Sequence, residues 1–284
     1  MLTDAARTAL ARFICSLPLF VAAASASSAE FSDTSISYRY GTQFREPFNP
    51  DDITKSIVAL THASGYAYGQ NFVNVDFLFS NYKDPSTVGG SGAQEAYVVY
   101  RNTVDIGKVL GKQLNYSVLR GVGLTAGFDA NTKNDYGYAS KKRMLVLGPT
   151  LSFDVPGFLN IGVLYLRESN APVGHPQRYT YKTHPMLTSS WLIPLPDPRF
   201  QFEGFVNYIA AKGKDEFGGP TKPETDFDGQ IMFDVSGFAG GTKGLFRVGV
   251  EYQFWKNKFG NPASGPAGSG AYARTPMVRA DYHF

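Results

Sequence analysis

Cysteine is nearly absent: the 284 residues contain one, Cys15. A disulfide framework and a thiolate-held metal are thereby excluded. Charge is scarce too, with Asp, Glu, Lys and Arg at 18%, against roughly 25% in ordinary soluble domains. Aromatic residues reach 14%, and that balance argues against disorder and against a coiled coil. A formal net charge of +3 is too small to supply the strong basic field of a nucleic-acid binder. Beyond the N-terminus there is no apolar run of the about 20 residues that a membrane-spanning helix needs. Enzyme signatures are missing as well: there is no phosphate-binding P-loop and no His-Glu-x-x-His. Gly121, Gly123 and Gly127 imitate a dinucleotide loop, but the spacing is one residue too long and they lie inside a strand pattern. What remains is a globular β-protein or a β-barrel, with no cofactor and no metal expected.

The first residues read as targeting rather than fold. Arg7 and Arg12 give a positive start, Phe13 to Ala24 a short apolar stretch, and Ala24 to Ala29 a run of small residues. This is the pattern of a secretory signal peptide cleaved after Ala29. Residues 30–284 would then form one domain, and Cys15 would leave with the signal. Arg12, Phe13 and Ile14 lack the small residues that a lipoprotein signal places before its cysteine.

Nearly every apolar segment of the remaining chain alternates with period two, and none keeps a 3.6 period over three turns. Strands are expected near 34–41, 55–63, 72–80, 94–102, 120–129, 143–153, 159–168, 184–193, 200–211, 225–235, 245–255 and 275–284. About twelve is an even number, as bacterial single-chain barrels use. Val73, Val75, Phe77 and Phe79 share one face against Asn74, Asp76 and Ser80. Phe246, Val248, Val250, Tyr252 and Phe254 oppose Arg247, Gly249, Glu251 and Gln253; Val278, Ala280, Tyr282 and Phe284 oppose Arg279, Asp281 and His283. A soluble sandwich shows the same period with its apolar face inward, so the period alone leaves both open.

Three features favour an all-β, transmembrane antiparallel barrel. The segments reach the about 9 to 11 residues that a tilted strand needs to cross a bilayer. Aromatic residues concentrate toward segment ends, where an interfacial girdle sits. The chain also stops on an aromatic in mid-strand, as bacterial outer-membrane barrels do. Connections tend to alternate in length: Phe44 to Asp52, Ser169 to Tyr181 and Gly213 to Glu224 are long, whereas Ser64 to Gln70 and Leu195 to Arg199 are compact. Short turns face the periplasm and long loops the exterior. Thr103 to Leu119 is too long for its place, so it holds a short helix or conceals a strand. Asn257 to Gly270, rich in Gly, Pro and Ser, reads as a flexible loop.

If the apolar face meets lipid, the ionisable face lines a lumen, because an Arg or Lys at mid-bilayer costs about 2 to 4 kcal/mol. Alternation then places Arg39, Asp76, Glu95, Arg101, Glu203, Asp226, Asp228, Asp234, Arg247, Glu251, Arg279, Asp281 and His283 inside. With both signs in similar numbers, a neutral polar solute suits this wall better than an ion of one charge. The bland reading is that these charges pair across strands and only fill the interior. Glu224, Asp226, Asp228 and Gln230 form a same-face row whose carboxylates need a cation or shared protons, and Arg247 on the next strand is one source. The row lacks the compact loop of a calcium site. Inward Tyr97, Phe205 and Trp255 could stack on a planar ring or serve as packing. A barrel lipid hydrolase would need a serine and a histidine in one patch at the lipid boundary, and His62 with Ser64 or Thr61 is the local candidate.

Several pieces of the chain resemble a known family. They are Tyr38, Arg39, Tyr40, Gly41, Phe44, Glu46 and Pro47; Asn74, Val75 and Asp76; Gly127, Phe128, Asp129, Asn131, Thr132, Lys133, Asn134 and Asp135; and Leu147, Gly148 and Pro149 followed by Pro156, Gly157 and Phe158. Together they resemble the Tsx-like nucleoside-specific channel-forming porins of the outer membrane. The resemblance implies a monomeric, narrow, twelve-stranded barrel that is no enzyme and passes nucleosides and deoxynucleosides. It also implies external loops that serve as receptors for phages and colicins. Carried over by position, Tyr38 to Glu46 become the first strand and its rim, and Asp76, Asp129 and Lys133 become wall or mouth residues. The Asn257 to Gly270 stretch has no counterpart in the family pattern. A channel for another small aromatic or apolar solute remains the alternative, as does a plugged structural or adhesive barrel.

Overall fold

The computed structural model describes residues 30–284 apart from Val88 and Pro176; the expected signal segment lies outside the described residues. The strands are β1 (Phe31–Glu46), β2 (Asn49–Tyr66), β3 (Gly69–Ser80), β4 (Gln94–Asp105), β5 (Leu119–Lys133), β6 (Arg143–Phe153) and β7 (Phe158–Asn170). They continue as β8 (Tyr179–Thr180), β9 (His184–Pro194), β10 (Phe200–Ile209), β11 (Glu224–Asp234), β12 (Phe246–Lys256) and β13 (Tyr272–His283). A single helical turn, α1 (Ile106–Leu110), lies between β4 and β5.

Every long strand pairs antiparallel with its neighbours along the chain, and β1 closes on β13 with Ser35 opposite His283 and Arg39 opposite Arg279. Twelve long strands thus form a closed barrel with no free edge; the two-residue β8 only extends the β7 ladder at one rim. Closure matters because an unpaired row of backbone groups cannot be satisfied in hydrocarbon.

The two faces of the wall have opposite chemistry. Outward-pointing Leu147, Val163, Leu187, Ile231, Val250 and Val278 are exposed, Val250 at 60% and Val278 at 58%. Inward-pointing Ser37, Lys55, Thr125, Asp129, Asn160, Asp228, Glu251 and Asp281 are buried. A soluble sandwich would reverse this. Among the described residues no helix is long and apolar enough to cross a membrane; the crossing is made by strands. An apolar outer band around a polar interior is the architecture of bacterial outer-membrane barrels, and this chain is an outer-membrane barrel. The inner face is not uniformly polar, however. Met144, Val146, Leu164, Leu166 and Met186 form a buried apolar patch, and Phe44, Ile53, Ile57 and Met277 form a second.

Three local expectations need correction or completion. Phe44 to Asp52 is no loop: β1 and β2 run through it to a tight turn at Pro47 and Phe48, with Phe48 at φ 67°. A bulge between Gly41 and Phe44 turns the Phe44 ring into the lumen against Ile53, which is how one extra residue re-aims a side chain. The overlong Thr103 to Leu119 link does contain a helix, whose start is capped by Asp105 Oδ1 accepting the Lys108 N–H at 3.0 Å. Asn257 to Gly270 is folded, not a loose loop. It forms two 3₁₀ turns and lies on the β1–β2 turn, where Phe48 N–H donates to Ala267 O at 3.0 Å. Its small residues allow the approach: a Cβ on Gly270 would stand 1.9 Å from Glu46 O.

Candidate channel lumen

Strand register decides which side chains meet. Arg39 reaches both ways along the inner wall, with Nη2 2.5 Å from Asp76 and Nη1 3.3 Å from Glu251. Glu251 also accepts from Arg279 Nη1 at 2.8 Å, and Arg279 Nε lies 2.8 Å from Asp281. Five expected wall residues on β1, β3, β12 and β13 therefore form one continuous chain, Asp76, Arg39, Glu251, Arg279 and Asp281. Arg279 Nη1 further donates to Gln230 at 2.5 Å, and Gln230 Nε2 donates to Glu203 at 2.9 Å, tying in β10 and β11. Alternating charges satisfy one another here, as buried ionic groups must.

The other expected residues sit in smaller groups. Tyr97 Oη donates to Asp129 at 3.0 Å, and Arg101 pairs with the same carboxylate. Glu95 accepts from Asn131 Nδ2 at 2.6 Å. Phe205 lies opposite Asp228 and Ser190 on the inner face, yet its ring stays 37% exposed. Trp255 Nε1 donates to Glu224 at 2.5 Å. His283 binds Asp33 at the rim, Nδ1 to Oδ1 2.9 Å.

Arg247 does not serve the acidic row. Because β12 runs antiparallel to β11, Trp255 stands opposite Asp226, and Arg247 stands opposite Asp234 at the far end of the strand. Glu224 is held instead by Trp255 and by the Phe259 N–H at 3.0 Å. Asp226 Oδ1 is buried with no hydrogen-bond partner among the described residues. The near balance of signs does not survive pairing either. Among the described residues Glu95, Glu203, Glu224, Asp226, Asp228 and Asp234 take part in no ion pair, whereas Arg39, Arg101 and Arg279 are engaged and Arg247 is the one expected wall arginine without an ion pair. Among the described residues no group of His, Cys, Asp or Glu side chains is arranged to hold a metal ion.

Several lumen residues carry no signal that alternation alone could single out. At the loop end, Glu46 Oε1 is shared by three ammonium groups, Lys55 at 2.6 Å, Lys258 at 3.4 Å and Lys133 at 3.5 Å; Lys133 also pairs with Asp84 at 3.0 Å. Opposite them, Glu168 takes Lys212 at 2.7 Å and Lys142 at 3.9 Å. Lys142, in the β5–β6 loop, is held above the ordinary lysine range: burial works against its charge, but Glu168, Glu224 and Asp129 outweigh it. Lys258, in the β12–β13 loop, is pulled below that range by burial, with Glu46 opposing and Lys55 and Lys133 reinforcing the fall. Lys55 shares its face with Ile57 and Ala59, and Lys142, Lys212 and Lys258 lie in loops, where period two says nothing. Phe72, opposite Arg101, is a second inward ring and is 39% exposed.

The hydrolase alternative gains no support from these positions. Thr61 faces inward and donates to Asn74 at 2.7 Å; His62 and Ser64 share the outward face, but His62 Nδ1 is taken by Thr34 Oγ1 at 2.8 Å, and among the described residues no hydrogen bond joins His62 to Ser64.

A closed, twelve-stranded, lipid-facing barrel around a hydrogen-bonding interior defines the class: a transmembrane β-barrel of porin architecture. No family model matches the sequence, and no curated protein matches it. Among solved structures the chain is similar to the KdgM porin, with 10% identity over 88% of this chain and 99% of that one and a TM-score of 0.43. It is also similar to the NanC porin, with 9% identity over 89% and 99% and a TM-score of 0.47. A third similarity is to the β-domain of the Bordetella autotransporter BrkA, with 8% identity over 89% and 98% and a TM-score of 0.36.

Proposed function

We propose that the barrel is a passive channel for small polar solutes and that nucleosides are among them. The observation that carries the reading is the company kept by two inward phenyl rings that stay exposed, Phe72 and Phe205. Phe72 and Phe205 are each more than a third exposed, beside carboxylates, guanidiniums, hydroxyls and amides, whereas the apolar side chains of the two inner patches are buried. An apolar ring face left open in a polar lumen offers stacking to a flat heterocycle, while Asp76, Glu95, Glu203 and Arg101 offer donors and acceptors to a sugar. No bond is made or broken, and passage requires that each contact be weak enough to release. The resemblance to the nucleoside-specific porins points the same way.

The test is influx into liposomes that contain the purified barrel. Adenosine and thymidine are expected to enter faster than a sugar of similar size, and Phe205→Ala is expected to narrow that difference. Nucleoside influx no faster than the sugar's would reject the nucleoside assignment while leaving a general channel standing.

A further inference from the structure

A feature unrelated to the lumen lies on the outer wall. There β1, β10, β11, β12 and β13 frame a concavity of about 620 Å³, where an even pleated wall would present none. Gly229 supplies no side chain to its floor, and the Phe227 ring lies across it: a Cβ on Gly229 would meet Phe227 Cζ at 2.6 Å. Phe202 and Phe227 bank up on one side, held by Trp191 at centroid distances of 5.4 and 5.9 Å. Tyr40 and Tyr252 form the other side, and Val250 lies between.

The upper rim of this groove is charged. Arg274 is the next outward residue above Pro276 on β13, and Lys256 stands two outward steps above Tyr252 on β12. They are diagonal neighbours, since Arg274 is opposite Phe254 and Lys256 is opposite Tyr272. Both are exposed, and among the described residues neither forms an ion pair. Arg274 is held over Tyr272, with its guanidinium 4.9 Å from the ring centroid and Nη2 donating to Oη at 2.6 Å. This rim lies at the end with the long loops, where the strands leave the hydrocarbon and two cations on a lipid-facing surface meet headgroups.

We propose that this wall holds one phosphate-bearing lipid of the loop-side leaflet, with an acyl chain in the groove and its phosphate between Arg274 and Lys256. The groove selects for a chain and the rim for an anion; only a lipid with both uses the two together. A free phosphate would leave the groove empty, and a zwitterionic lipid would bring a competing cation to the rim.

Native mass spectrometry of the full barrel in neutral detergent tests this, with dimyristoyl phosphatidic acid, dimyristoyl phosphatidylcholine and inorganic phosphate as separate probes. The wild type is expected to retain one phosphatidic acid, and the double variant Lys256→Gln/Arg274→Gln to bind it about tenfold more weakly. Val250→Trp, which fills the groove and keeps both cations, is expected to weaken it as well. Heat-modifiable migration on gels confirms that each variant is a folded barrel. Equal retention of phosphatidylcholine, retention of inorganic phosphate alone, or wild-type retention by the double variant would overturn the proposal.

Discussion

Glu251 is the carboxylate on which the lumen network turns, and neutralising it gives a measurable penalty. Its side chain has 0% exposure and stands between two guanidiniums, Arg39 at 3.3 Å and Arg279 at 2.8 Å. Glu251→Gln keeps the volume and removes the charge. Removing one partner of a buried ion pair typically costs about 3 to 5 kcal/mol, because the other charge is left uncompensated. Here each arginine keeps a second carboxylate, Asp76 at 2.5 Å and Asp281 at 2.8 Å, so the expected loss is roughly 2 to 3 kcal/mol. With a urea dependence of about 2 to 3 kcal/mol per molar, the unfolding midpoint should fall by about 1 M. Tryptophan fluorescence of the barrel folded in vesicles reads the midpoint. Arg199→Ala, which breaks the solvent-exposed turn pair with Asp197, should leave the midpoint where it is. A Glu251→Gln midpoint equally unmoved would show that the network is solvated rather than buried, and the reasoning would fail.

Two further outcomes follow from the lumen's charges. Among the described residues, carboxylates without ion-pair partners outnumber unpaired cations on the inner wall, so a salt gradient across a planar bilayer should give a reversal potential of cation-selective sign, reduced by Glu203→Gln; anion selectivity would contradict the charge placement. Lys258→Met should loosen the β12–β13 loop from Glu46 and Arg45 and raise single-channel conductance, since Lys258 Nζ lies 2.7 Å from Arg45 O. The same variant has a pH signature. Folded Lys258 binds its proton less tightly than the unfolded chain does, so the unfolded state holds more protons as pH climbs towards 10.5, and stability gains over that window. Lys258→Met should lose that gain; an unchanged pH profile would show that the ammonium is not desolvated.

The barrel was legible because its outer faces are chemically simple. Over residues 246–253 of β12 and 278–283 of β13 each apolar residue alternates with a charged, amide, glycine or histidine residue, and the register of Val250 and Glu251 could be read directly. The β6 and β7 strands were harder: Met144, Val146, Leu164 and Leu166 are apolar although they point inward, so alternation there does not separate lipid from lumen. Pairing between strands was not legible at all. Placing Arg247 beside the acidic row assumed adjacency without fixing which ends meet, and antiparallel register sends it to Asp234 instead. The lysines at the mouth act through loops folded back on the barrel, which depend on contacts such as Phe48 to Ala267 that no local pattern encodes.

The central claim is the sidedness of the wall, and one scan tests it. In a Cys15→Ser background, single cysteines at residues 246–256 are spin-labelled and the barrel is folded into vesicles. Accessibility to oxygen, which partitions into lipid, is then compared with accessibility to a water-soluble nickel chelate. Oxygen maxima are expected at Val248, Val250 and Tyr252, with nickel accessibility at Gln253 and Arg247. Oxygen maxima at the odd-numbered positions, or even-numbered positions reached by neither reagent, would contradict it.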